Sequence, residues 1–204
     1  MAYRDFTLSE LIKIFNLNIN KTNGLFTAFE EVECSEYLKF NIEEYVAFTK
    51  GNDTHKPNHK LITYSVLMEA KNKLKLKTSL FHEVNFDVDS EMGLSGKCDF
   101  LFGLSSEKFI SHPVIAIVQS KYENPNLCLG ECVAQMLAAQ LFNDWENNQI
   151  KTIYGVVTNG TIWRFMKLVS HVVYIDLTAY HISYVEKILG ILCSAVTRTG
   201  FRLR

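Results

Sequence analysis

The sequence predicts a mixed α/β fold, a central mixed sheet flanked by helices, from three observations. Stretches of period-two hydrophobicity such as "LFHEVNFDVD" alternate with stretches of helical period such as residues 129–145. The unbroken apolar run Val114 to Val118 reads as a central strand covered on both faces. Asn159-Gly160, set between two apolar strand-like runs, reads as a tight type I′ hairpin turn. The 204 residues, 48% hydrophobic and 12% aromatic, suffice to bury one substantial core.

Along the chain, Thr7 followed by Glu10 forms a capping box for a short helix carrying Leu11, Ile12 and Phe15. A second helix is expected from Ser35 to about Lys50, with Leu38, Ile42, Tyr45 and Val46 as its apolar stripe. The segment "LFTAFEEVEC" between them has no clear period. The polar stretch "GNDTHKPNHK" separates this N-terminal helical extension from a helix over about 58–74. Three strands follow: the alternating His82, Val84, Phe86 and Val88; "KCDFLFGL" after a turn near Gly93 to Gly96; and the apolar run. A helix from Leu129 to about Trp145, the hairpin "TIYGVVTNGTIWRFMKL", a strand "VVYIDL" and a helix over about 182–196 complete the order. One domain is expected, comprising an extension (1–50), a core (58–169) and a C-terminal strand and helix (170–204).

Composition narrows the function classes. The five cysteines are odd in number and lack CxxC spacing, so they read as small buried thiols rather than a disulfide framework or zinc ribbon. No apolar stretch approaches the ~20 residues of a bilayer span, so a cytoplasmic protein without a membrane partner is expected. A net charge of −1 means that nucleic-acid binding must come from a local patch. "KNKLKLK" supplies Lys71, Lys73, Lys75 and Lys77 as candidate phosphate contacts, and the C-terminal Arg198, Arg202 and Arg204 read as a frayed end. The six histidines show no metal or triad spacing and read as structural or surface groups. Trp163 and Phe165 read as core packing.

The apolar run delivers Gln119 and Lys121 at its carboxyl end. Alternation places these two on one face, and if the neighbouring strand pairs with it, Asp99 lies beside them. A carboxylate to hold Mg²⁺ or Mn²⁺, an amide oxygen as a weaker ligand and an ammonium to orient water and offset phosphate charge suit phosphodiester hydrolysis. The bland alternatives are a surface salt bridge for Asp99, a snorkelling Lys121 and a Gln119 that merely satisfies backbone.

"GKCDF" followed by "PVIAIVQSK" resembles the PD-(D/E)xK nuclease superfamily over about residues 58–169, with "GECVAQMLAAQLFN" and "YGVVTNGTIWRF" adding to the likeness. The resemblance implies a restriction-endonuclease-like core acting on DNA, with catalytic Asp99, Gln119, Lys121 and Gln135 and metal held by Asp99, Gln119 and Glu69. Gln119 stands where most of the superfamily has Glu or Asp, although some of its nucleases function with an amide there. The first-helix acid is also displaced, leaving Glu69, or Glu83 on the first strand, as the substitute. A catalytically inactive descendant that binds nucleic acid or a protein partner is the rival, and either form is compatible with a homo-oligomer.

Overall fold

A computed structural model of the chain describes residues 1–51, 59–74, 78–104, 110, 113–121, 124–148 and 150–198. Lys75, Lys77, Arg202 and Arg204 lie outside the described residues. The elements run α1 (Leu8–Phe15), β1 (Asn18–Thr22), α2 (Glu36–Gly51), α3 (His59–Lys73), β2 (Ser79–Asn85), β3 (Lys97–Gly103), β4 (Val114–Ser120), α4 (Leu129–Trp145), β5 (Thr152–Thr158), β6 (Ile162–Val169), β7 (Val172–Asp176), β8 (Tyr180–His181) and α5 (Val185–Thr197). The strands form one mixed sheet in the order β1-β7-β6-β5-β4-β3-β2, with β8 paired to β6.

All seven residues of β4 are buried, as a strand covered on both faces requires. It pairs antiparallel with β3 and parallel with β5. Helix α4 packs over β4 and β5, while α3 and α5 pack together and reach the sheet as well. Adjacent β4 side chains show that these are opposite layers: the Gln119 amide meets Gln135 of α4, whereas the Ser120 hydroxyl lies 3.2 Å from that of Thr63 in α3. The Asn143 amide pairs with both backbone groups of Val114, at 2.9 and 2.6 Å. Helix α4 is thereby pinned at both ends of β4.

The capping box is present at α1, where Thr7 and Glu10 exchange hydrogen bonds. Two expectations are corrected. The N-terminal segment is more than a helical extension, because β1 joins the sheet edge parallel to β7 and Tyr3, Leu11 and Phe26 enter the core. Strand β1 reads NINKT and is mostly exposed, so it carries no apolar alternation to reveal it. The hairpin pairs Thr158 with Trp163, and Asn159 donates its backbone N–H to the Ile162 carbonyl, so the turn centres on Gly160-Thr161. Of these two, only Gly160 has positive φ (84°), the sign pattern of type II′ rather than I′. The Asn159 side chain shifts the turn by accepting from the backbone of Thr161 and Ile162. Trp163 and Phe165 are buried as expected.

Candidate functional site

Strand register builds the site. The Phe100↔Val118 and Leu101↔Ile117 pairs, continued by one step, set Asp99 level with Gln119 on the neighbouring strand. One strand further out, Glu83 falls between the His82↔Phe100 and Val84↔Cys98 pairs, opposite Asp99. Two carboxylates therefore face each other across β2 and β3, a destabilising arrangement unless a cation neutralises them. Glu83 adopts a left-handed backbone (φ 50°).

The cation is Lys60, from the first turn of α3. Its ammonium lies 2.8 Å from Asp99 Oδ1 and 2.8 Å from Glu83 Oε1. Lys97 approaches Glu83 Oε2 at 3.2 Å. These hydrogen bonds, that from Lys60 first, hold the Glu83 carboxyl down at about 2. Burial works to lower the pKa of the Lys60 ammonium, but its hydrogen bonds to Asp99 and Glu83 outweigh that effect and raise it. Asp99 is 8% exposed, and its second oxygen accepts the Ser120 backbone N–H at 2.9 Å.

Gln119 and Gln135 are both buried and form a relay of fixed polarity. The Lys97 carbonyl can only accept, so Gln135 turns its Nε2 toward it (3.3 Å) and presents Oε1 to Gln119. Gln119 must then donate its Nε2, at 2.7 Å, which leaves its own Oε1 buried with no hydrogen-bond partner among the described residues. Such an orphaned buried polar atom is uncommon, and Thr78 Oγ1, Ser79 Oγ and Asn148 Nδ2 share that state among the described residues. A residue of the Gln135 kind is more often solvated on a helix; this one is wholly buried.

Lys121 is held by its backbone N–H to the Thr158 carbonyl at 2.9 Å. Its ammonium lies 3.5 Å from Glu131 of α4. Burial raises the Glu131 carboxyl above the usual range, with Lys121 opposing that shift and the negative charge of Asp99 adding to it. His59 donates to the Ser120 carbonyl at 3.1 Å, and burial lowers its pKa.

Gln119 and Gln135 meet at the face of α4 and Lys121 reaches Glu131 of the same helix, whereas Asp99 bonds to the Ser120 backbone and to Lys60 of α3. Glu69 lies nine residues beyond Lys60, about 13 Å of helical rise, where it accepts from the backbone and hydroxyl of Ser35 at the start of α2 and meets Lys73 at 3.7 Å. The expectation that Glu69 is a ligand is therefore corrected: its carboxylate serves as a helix cap. Sequence reading also assigned no role in the site to Lys60, His59 or Glu131. "GECVAQ" places Glu131 one turn before Gln135, so the i, i+4 spacing was its available signal.

The oxygen donors of Asp99, Gln119 and Glu131 suit a hard divalent cation, and the orphaned Gln119 oxygen is the observation that makes the fit. Among the described residues, no group of three or more His, Cys, Asp or Glu side chains is placed to hold a metal. Lys71 and Lys73 sit in the last turn of α3. No helix among the described residues is long and apolar enough to cross a membrane. In comparisons with family models, curated proteins and solved structures, the chain matches none.

Proposed function

We propose that the chain hydrolyses phosphodiester bonds in DNA with Mg²⁺ or Mn²⁺, in the manner of the PD-(D/E)xK nucleases its motif resembles. The observation that carries this reading is the buried Oε1 of Gln119, without a hydrogen-bond partner among the described residues, opposite Asp99 and two residues before Lys121. The element order supports it: a helix, two antiparallel strand pairings, a crossover helix and a parallel strand, α3-β2-β3-β4-α4-β5.

Asp99 and the Gln119 amide oxygen would hold the ion, with Glu131 as the second carboxylate. A bound divalent cation polarises a phosphoryl oxygen and offsets the charge that develops there. Ser120 fixes the Asp99 carboxylate through its backbone N–H, so the carboxylate is oriented before any ligand arrives. Lys121 offers its ammonium to the substrate phosphate, and its contact with Glu131 at 3.5 Å positions it there. Gln135 orients Gln119 and is a positioning residue.

One observation favours the second reading, a catalytically inactive protein that binds nucleic acid or a protein partner. Lys60 already neutralises Asp99 and Glu83. Incubating the protein with labelled single- and double-stranded DNA in Mg²⁺ and in Mn²⁺ separates the two. Cleavage that disappears in folded Lys121→Ala and Asp99→Ala variants supports the enzyme. Absence of cleavage with DNA binding retained supports the inactive protein.

A further inference from the structure

We propose that Lys60 is the resident cation of this site: its ammonium ties Asp99 to Glu83 in the metal-free protein and must release Asp99 before a divalent ion can bind. The inference rests on the reading of Asp99 as a metal ligand.

The existing bonds of Asp99 set what an incoming ion meets. Asp99 has two oxygens, and Oδ2 is committed to the Ser120 backbone N–H at 2.9 Å. That bond belongs to the β3–β4 junction and would persist when a ligand arrives. A metal that binds Oδ1 meets the Lys60 ammonium, which sits there at 2.8 Å. Two cations cannot share one oxygen at contact distance without strong repulsion.

The ammonium is also well suited to leave. It stands on a flexible four-carbon stem at the first turn of α3, and its side chain is 29% exposed. The second carboxylate, Glu83, is 40% exposed and has Lys97 at 3.2 Å. Lys60 can therefore withdraw from Asp99 while remaining on Glu83, and Glu83 does not depend on Lys60 alone. Continued by one step, the β3–β4 register sets Gln119, with its orphaned oxygen, level with Asp99 on the neighbouring strand. In this arrangement the lysine prevents the like-charged pair from repelling before the ion arrives, and it sets a threshold ion concentration for loading.

The test measures Mn²⁺ affinity by titration calorimetry for native protein and for Lys60→Met, without DNA. Removing the competitor should tighten Mn²⁺ binding by about tenfold or more, a factor equivalent to about 1.4 kcal/mol. Lys60→Met/Asp99→Asn should lose that gain. Should Lys60→Met fail to fold, the native protein supplies the answer through acetylation of its lysines followed by mass spectrometry. Lys60 labelling should rise several-fold on adding Mn²⁺. Equal or weaker Mn²⁺ binding by folded Lys60→Met, or unchanged Lys60 labelling while native protein binds Mn²⁺, overturns the proposal and leaves the nuclease reading standing. If neither native protein nor Lys60→Met binds Mn²⁺, both fall. If only Lys60→Met binds, the resident-cation role is supported and the native protein is the inactive form.

Discussion

Replacing Gln119 by Glu restores the acid usual at this motif position, yet the structure predicts a cost that depends on pH. The relay requires residue 119 to donate to Gln135 Oε1 at 2.7 Å, because Gln135 is itself committed to the Lys97 carbonyl. An ionised glutamate at position 119 cannot donate. Either two oxygens meet where a hydrogen bond stood, or Gln135 turns over and sets its oxygen against the Lys97 carbonyl. Either way a buried group goes unpaired, which costs about 1–3 kcal/mol. The introduced carboxylate would also be almost fully buried beside Asp99, so burial and like charge both raise its pKa above the ordinary value of about 4.3. When protonated, the introduced side chain regains an O–H donor and the relay closes again.

The folded-state pKa of the introduced acid is therefore raised, so its stability is present in full below about pH 4 and is lost as pH rises through the folded value. A rise of about 2 units would make Gln119→Glu about 3 kcal/mol less stable at pH 8 than at pH 4, relative to native protein at each pH. Urea denaturation across that range measures the difference, and saturating Mn²⁺ should recover part of it by stabilising the ionised form. A cost that is the same at pH 4 and pH 8 would refute the relay argument. The substitution changes almost no volume, so repacking would not confuse the result.

Glu83 is held down to about 2 by Lys60 and Lys97, so its contribution to stability, present above about pH 4.5, should disappear as pH falls toward 2; Glu83→Gln should flatten that part of an acid titration followed by circular dichroism. At Gly130, which precedes Glu131, an added Cβ would clash with the Phe6 carbonyl oxygen, so Gly130→Ala should cost about 1–3 kcal/mol in urea denaturation. If Lys71 and Lys73 contact phosphates, Lys71→Ala/Lys73→Ala should flatten the slope of log affinity for duplex DNA against log salt by about 2, and an unchanged slope would return them to a solvated face.

What local physics controls could be read from the residue order. Five consecutive apolar residues required a strand covered on both faces, and β4 is wholly buried between β3 and β5. Antiparallel register then set the Asp99 and Gln119 positions level on neighbouring strands. The Thr7 and Glu10 caps and the bounds of α4 were legible because a cap or a helical period is written within a few residues. Tertiary structure decided which partner each polar group takes. Glu69 lies on the predicted helix, but Ser35, 34 positions earlier, claims its carboxylate. Gln135 entered as a candidate only through the family resemblance, and the packing of α4 over β4 made it the group that orients Gln119. Lys60 reads as one more charge in a polar stretch until α3 crosses the end of the sheet and sets its ammonium between Asp99 and Glu83. A side chain's type is local, but hydrogen bonds and ion pairs act over about 3–4 Å in space, and the Gln119–Gln135 and Lys60–Asp99 bonds join residues 16 and 39 positions apart.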